Sequence, residues 1–324
     1  MAAAETILPH LHVVEVPLPQ SPLKTLNAYV VSGPDRTLVI DTGFNRPECL
    51  AALQEGLHDL RVDLDRTDFF ITHLHADHFG LVSQLVRPER TIYFNTPDAE
   101  TIRNWKGWED TVASAGRNGF PADKLQTAIR NHPGYRFLAY MPKEMTLLED
   151  GTPLSVGDYH FRCVSTPGHT AGHLCLYEPQ KHLLIAGDHL LYDITPNITC
   201  WKENINPLRN YLASLDKMEG LDIDLVLPGH RRRFGNPAAR IAELREHHKK
   251  RNEEILTILR SGPRHAYETA ARMTWDLDCP SWEDFPIAQR WFATGEALAH
   301  LRYLEEKGIV RGQDGEPLIR YTLA

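Results

Sequence analysis

Alternation of apolar and polar positions sets the character of the first part of the chain. Val13-Val14-Glu15-Val16, Asn27-Ala28-Tyr29-Val30-Val31 and Thr37-Leu38-Val39-Ile40-Asp41 read as strands of a meander, with a turn at Gly33-Pro34-Asp35. Apolar Leu50, Leu53 and Leu57, with Pro47 near the start, predict a helix from Arg46 to Leu60. Short apolar runs then recur at Asp68-Phe69-Phe70-Ile71 and Thr91-Ile92-Tyr93-Phe94. Strand-like alternation returns from Thr146 to Tyr177, followed by buried-type runs at Leu183-Leu184-Ile185-Ala186 and Leu225-Val226-Leu227. A helix is expected from Asn206 to Met218.

Two stretches break this rhythm. Between Pro97 and about Pro142, apolar residues including Ile102, Trp105, Trp108, Val112, Phe120, Leu125, Ile129 and Tyr140 mix with charges and with Gly and Pro. This reads as a helical insertion, which either folds over a pocket or pads the outside of the sheets. Beyond residue 235 the texture changes again. Asn236-Pro237 has the form of a helix N-cap followed by proline at the first helical position. Ile241, Leu244, His248, Ile255 and Leu259 continue an amphipathic helix to Gly262-Pro263. A short helix over Ala266–Ala271 follows, then a long one from Ile287 to Lys307 closed by Gly308, then a turn at Asp314-Gly315-Glu316 between short strands. The reading is a main domain over 1–235, with an insertion over about 97–142, and a helical, winged-helix-like domain over 236–324.

With 324 residues the chain is long enough for one large and one small domain. No apolar run approaches the roughly 20 residues that span a bilayer, and Met1-Ala2-Ala3-Ala4-Glu5-Thr6 lacks the basic and apolar segments of a secretory signal. Cys49, Cys163, Cys175, Cys200 and Cys279 are odd in number and include no Cys-x-x-Cys pair, so a reduced, cytoplasmic setting with buried thiols is expected. The net charge of −8 argues against non-specific nucleic-acid binding.

Chemistry concentrates at strand ends. Thr72-His73-Leu74-His75-Ala76-Asp77-His78 follows the run at 68–71 and holds three imidazoles and a carboxylate, the ligands preferred by zinc and similar ions. Thr166-Pro167-Gly168-His169-Thr170-Ala171-Gly172-His173 follows a second strand. Asp188 ends a third, and His230 a fourth. Arg231-Arg232-Arg233 comes directly after His230.

This series, with Asp41 after its own strand, resembles the metallo-β-lactamase superfamily, whose five motifs all have counterparts here. The resemblance implies an α/β fold, a four-layer αββα sandwich, with a metal centre at one edge. It implies that His73, His75 and His169 hold one ion, that Asp77, His78 and His230 hold a second, and that Asp188 bridges them. Asp41 would steady the site without binding metal. Zinc is the expected metal, with iron or manganese compatible. The C-terminal helices more loosely resemble those of β-lactamase-like protein 2-like members.

Departures from the family narrow the reaction. Zinc β-lactamases have Cys at the position of Asp188 and Arg at that of His78, and di-iron flavoprotein relatives have Glu at that of His75. Nucleases with a long inserted domain need more room than the segment from Asp188 to His230 provides. Glyoxalase II-like hydrolases remain, attacking a thioester, ester or lactone carbonyl with a hydroxide generated between two ions. Tyr192 is a candidate oxyanion donor, or else a packing residue. A metal-dependent phosphodiesterase or endoribonuclease is the alternative, with Arg231 and Arg232 as substrate contacts unless they pair with the protein's own acids. A persulfide dioxygenase-like enzyme with one iron is a further alternative. The expected partner is a small molecule, and a homodimer is compatible with the sequence; nucleic acid is not favoured, because Ala297–Lys307 lacks the basic face of a recognition helix. His173 is expected to support the site from behind. His10, His12, His132, His182, His189, His247, His248, His265 and His300 are expected to be surface or structural residues.

Overall fold

The computed structural model describes residues 4–137, 144–200, 205–276, 279–315 and 317–324. Tyr140 and Trp201, the opening Met1-Ala2-Ala3, and Glu316 of the expected turn lie outside the described residues. No helix among those described is long and apolar enough to cross a membrane.

Seven strands form the first sheet in sequence order: β1 (Glu5–Leu8), β2 (Leu11–Pro17), β3 (Thr25–Ser32), β4 (Thr37–Ile40), β5 (Thr67–Phe70), β6 (Ile92–Asn95) and β7 (Thr146–Leu148). The second sheet holds β8 (Pro153–Val156), β9 (Tyr159–Ser165), β10 (Leu174–Glu178), β11 (Leu183–Gly187) and β12 (Leu225–Pro228), in reverse order. Alternation along the strands decides how the sheets stack. Tyr29, Val31, Leu38 and Ile40 of the first sheet face Phe161, Cys163, Leu176 and Ile185 of the second in one shared core. Their neighbours Ala28, Val30 and Val39 point to the opposite face and pack with Leu53 and Leu57 of α1 (Pro47–Asp59). Likewise Cys175, Leu184 and Ala186 turn away from the central core. They meet Leu208 and Leu215 of α8 (Pro207–Glu219) and Ile241 of α9 (Pro237–Leu259). This is the four-layer α/β sandwich that the sequence implied, because period-two strands buried on both faces require a layer on each side.

Between β5 and β6 lie two single-turn helices, α2 (Ala76–Phe79) and α3 (Val82–Leu85). The insertion is helical as expected: α4 (Thr96–Arg103), α5 (Glu109–Arg117), α6 (Ala122–Asn131) and α7 (Pro133–Phe137). It packs in two places, at its far end and in its middle. Its far end, α7, packs against α2, and Phe137 meets Phe44 at 4.6 Å between ring centroids. Its middle buries Ala115, Phe120, Leu125 and Ile129 around Trp291.

Trp291 belongs to α11 (Ile287–Glu306), which with α10 (Ala266–Ala270) and the hairpin β13 (Val310–Asp314) and β14 (Ile319–Leu323) completes the C-terminal segment. Ala297, Leu298 and Leu301 of α11 share one core with Leu184 and Val226 of the second sheet. Asn236 does not cap α9 with its side chain, and its backbone lies in the left-handed region at φ 52°. Asn206 does cap α8, accepting from the Arg209 N–H at 3.0 Å. None of the five cysteines forms a disulfide, and four of them are buried.

Candidate metal centre

Parallel pairing places the important strand ends at one edge. β4 runs parallel to β5, and β11 runs parallel to β12, so Asp41, the 72–78 loop, Asp188 and His230 all emerge on the same side. The edge is sewn across both sheets. Leu174 N–H donates to Thr72 O, Gly229 N–H to Gly187 O, and Asn27 N–H to Gly229 O. Asn27 Nδ2 and the Tyr29 hydroxyl also donate to Pro228 O, at 3.0 and 2.7 Å.

Three groups of ligand atoms converge: His73 with His75 and His169, Asp77 with His78 and His230, and His73 with His78 and Asp188; within each group the atoms lie within 4.8 Å of one another. Asp188 stands between the first two. Its Oδ2 lies 3.5 Å from His169 Nε2, and its Oδ1 lies 3.5 Å from both His78 Nε2 and His230 Nε2. Asp77 Oδ2 is 3.3 Å from His230 Nε2.

Four of the imidazoles are aimed by their other nitrogen. His78 Nδ1–H donates to Asp41 Oδ2 at 2.7 Å. His169 donates to Asn197 O and His230 to Thr25 O, both at 2.7 Å. The Thr72 hydroxyl donates to Asp41 Oδ2 at 2.9 Å, which leaves its oxygen to accept from His73 Nδ1 at 3.0 Å. The Nε2 atoms of His73, His78, His169 and His230 are buried without a hydrogen-bond partner, as is Asp188 Oδ1. Five orphaned donors and acceptors in one place would be costly in a site meant to bind nothing. Nitrogen and oxygen donors, oriented from behind and unsatisfied in front, fit divalent cations.

Electrostatics divide the centre. Burial pushes His73 well down and His75 down to about 3, with their imidazole neighbours adding to the effect. Burial acts the same way on His78 and His230, but carboxylates overcome it. Asp41, Asp188 and Asp77 raise His78, and Asp188 with Asp77 raises His230 to about 10. Asp77 is lowered to about 2 against its own burial, by His78 and His230.

The remaining expected residues have different surroundings. Tyr192 is partly exposed, its ring covered by the Arg232 guanidinium at 4.0 Å and 5.0 Å from that of Phe234. Arg232 Nε pairs with Asp193 at 2.9 Å, Arg231 Nη2 donates to Pro22 O at 2.7 Å, and Arg233 pairs with Glu5 at 2.6 Å. His173 is fully buried; its Nε2 accepts from the Asp188 N–H at 3.1 Å while Nδ1 donates to the Thr166 hydroxyl at 2.8 Å. Sequence reasoning missed Thr72, although a hydroxyl directly before the first histidine was a visible signal. It also missed Asp98, for which Asn95-Thr96-Pro97-Asp98 signals only a helix start.

Residues 24–230 match the family model described as the metallo-beta-lactamase superfamily, and residues 253–324 match that of the metallo-beta-lactamase-like C-terminal domain. The probable metallo-hydrolase YqjP of Bacillus subtilis is 26% identical over 311 residues, covering 91% of this chain and 92% of that protein. Human acyl-coenzyme A thioesterase MBLAC2 is 26% identical over 224 residues, 64% of this chain and 74% of its own. The crystal structure of a metallo-beta-lactamase family protein from Thermus thermophilus superposes with a TM-score of 0.83 at 29% identity, covering 98% of this chain and 100% of that one.

Proposed function

From the premise that this chain belongs to the metallo-beta-lactamase superfamily, we propose that it is a metal-dependent hydrolase of carbonyl substrates, with a thioester first and an ester or lactone next. The observation that carries the reading is the position of Asp188. Its two carboxylate oxygens face two separate ligand groups, an arrangement suited to a shared pair of ions. His73, His75 and His169 would hold one ion, Asp77, His78 and His230 the other, with Asp188 common to both. Zinc suits this donor set best. Two ions so held would make a water molecule nucleophilic at neutral pH and offset the charge that develops on a carbonyl oxygen.

The chain's own residues supply position and shape. Asp41, Thr25, Thr72 and Asn197 fix the four imidazole rings before any cation arrives, so little reorganisation is needed. The low pKa of Asp77 keeps it anionic at neutral pH, available as a ligand. α7 lies against α2, which carries Asp77 and His78, and α7 bears the exposed Tyr135. Earlier in the insertion, Trp105 is exposed and meets Trp108 edge-on at 5.1 Å between ring centroids. Exposed aromatic surface on the insertion suits an apolar acyl group better than a phosphodiester backbone. Arg232 and Arg233 are engaged by Asp193 and Glu5 rather than left for a phosphate, which also favours the carbonyl reading. The thioesterase name of a relative that matches 64% of the chain adds support.

The test is a rate comparison on purified, metal-analysed protein. Acyl thioesters and lactones are assayed beside a phosphodiester, with Asp77→Ala as control. Turnover of a carbonyl substrate that disappears in the control is the expected outcome. Phosphodiester cleavage alone would overturn the proposal.

A further inference from the structure

Asp98 lies at the start of α4, outside every ligand-bearing loop, and is fully buried. A carboxylate in that position must be satisfied by the protein around it. Its Oδ2 accepts from the Leu74 N–H at 3.0 Å, from the Thr170 hydroxyl at 2.9 Å and from Asn95 Nδ2 at 3.3 Å. Its Oδ1 accepts from the Gly172 N–H at 2.9 Å. Leu74 is the residue between His73 and His75, and Thr170 follows His169. One carboxylate therefore holds both loops that carry the all-histidine group.

A second observation points the same way. A Cβ on Gly172 would fall on Asn95 Oδ1 and within 2.7 Å of the Asp98 N–H. The His169 loop thus seats directly on the N-terminus of α4, whose first turn Asn95 caps by accepting from the Asp98 N–H at 2.7 Å. Burial pushes the Asp98 carboxyl up to about 6, against the hydrogen bonds from Thr170, Asn95, Leu74 and Gly172. Among the described residues, no comparable link runs from Asp98 to Asp77, His78 or His230.

We propose that Asp98 is a positioning residue that sets the spacing of His73, His75 and His169 by clamping their two loops to the first helix of the insertion. It acts on one of the two ligand groups and leaves the other untouched. The proposal rests on the metal-centre reading above, and the experiment separates failure of one from failure of the other.

The measurement is metal affinity, read by chelator competition with Zn2+ and by the absorption of Co2+ added stepwise, on wild type, Asp98→Asn, Thr170→Val and Thr170→Ser. Asp98→Asn keeps the size of the side chain but turns an amide toward N–H donors. It is expected to weaken one metal equivalent by about 10- to 100-fold, the loss typical of residues that orient ligands. The other equivalent should change less than about twofold. In an Asp77→Ala background, where the remaining equivalent reports the all-histidine group alone, Asp98→Asn should produce the whole loss. Thr170→Val is expected to weaken the same equivalent by a smaller factor, and Thr170→Ser to restore it. Wild-type affinity in Asp98→Asn would overturn the proposal, as would equal weakening of both equivalents without rescue by Thr170→Ser, which is the signature of a general packing role. A wild type that takes up no metal would overturn the reading of the centre itself, and this proposal with it.

Discussion

Histidines are buried both at the sheet edge and in the C-terminal helices, and one pair from each place behaves opposite to the other. At the sheet edge, His78 and His230 are fully buried and their pKa values are raised. In the C-terminal helices, His248 on α9 and His300 on α11 are as deeply buried, yet burial pushes His248 down to about 3 and His300 well below its usual range. Depth is the same, so depth cannot be the cause of the difference. The first pair is surrounded by Asp41, Asp77 and Asp188, whereas the second faces Asn252, Tyr211, His247 and Arg251. His300 Nδ1 donates to Asn252 Oδ1 at 2.8 Å, leaving Nε2 to accept from His248 Nδ1 at 3.3 Å. That chain of hydrogen bonds uses two neutral rings and no cation. A histidine cluster suits a metal when carboxylates stand among the rings and the ring nitrogens converge on one point; otherwise it is a way of joining helices.

The largest effect is expected from removing the carboxylate common to both ligand groups. Asp188→Ala should lower turnover by about 10³-fold or more, as loss of a member from a catalytic unit does, and should reduce bound metal. Unchanged metal content, measured by elemental analysis, would break the comparison at its stronger side. Next comes Asp41→Asn, chosen because Asn tolerates the φ of 61° at this position. It is expected to lower metal affinity by about 10- to 100-fold in chelator competition, whereas an unchanged affinity would mean that orientation of His78 does not matter. His248→Leu should leave turnover per folded molecule unchanged and cost about 1–3 kcal/mol at neutral pH, because His300 Nε2 loses its donor.

The same variant sharpens the comparison through pH. In the folded protein the His248 pKa lies below that of the unfolded chain, so the unfolded state takes up the proton first as pH falls. Stability from this group is present above about 6.5 and is lost as pH drops toward 3, at up to about 1.4 kcal/mol per pH unit. Metal-free His248→Leu should therefore lose stability less steeply than metal-free wild type between about pH 6.5 and 4, followed by thermal melts. Equal slopes would remove His248 as the cause. The smallest effect is expected from Arg232→Ala, whose exposed side chain is paired with Asp193. A change in KM below about twofold is expected for a surface pair of this kind. A tenfold rise would return Arg232 to the substrate contacts considered from sequence.

The residues that converge in the candidate centre were legible because they lie at the ends of recognisable strands and are closely spaced in the motif loops, so local pattern and chemistry coincide at His73–His78, His169, Asp188 and His230. The same holds for the strands themselves, whose alternation translates into two faces. Asp98 was not legible, since nothing in its neighbourhood states that Leu74 and Gly172, 24 and 74 positions away, will meet it. Asn197 and Thr25 act through backbone carbonyls, which every residue has, so their side chains carry no signal. The change of texture after residue 235 suggested a boundary. What it could not convey is that α11 would lend Trp291 to the insertion and Ala297 and Leu301 to the core beneath the second sheet.

That sharing bears on how such a chain can be inherited. The loop after Asp188 hands its Cys200 N–H to Gly295 O of α11 at 3.0 Å, three residues beyond the carbonyl that aims His169. A fragment cut at 235 would be unfinished rather than merely smaller, with α8 and the insertion bared where α9 and α11 pack. Recombination that exchanges the segment after residue 235 therefore carries with it the backing of the reactive edge, and only pairs of segments that have changed together would remain compatible.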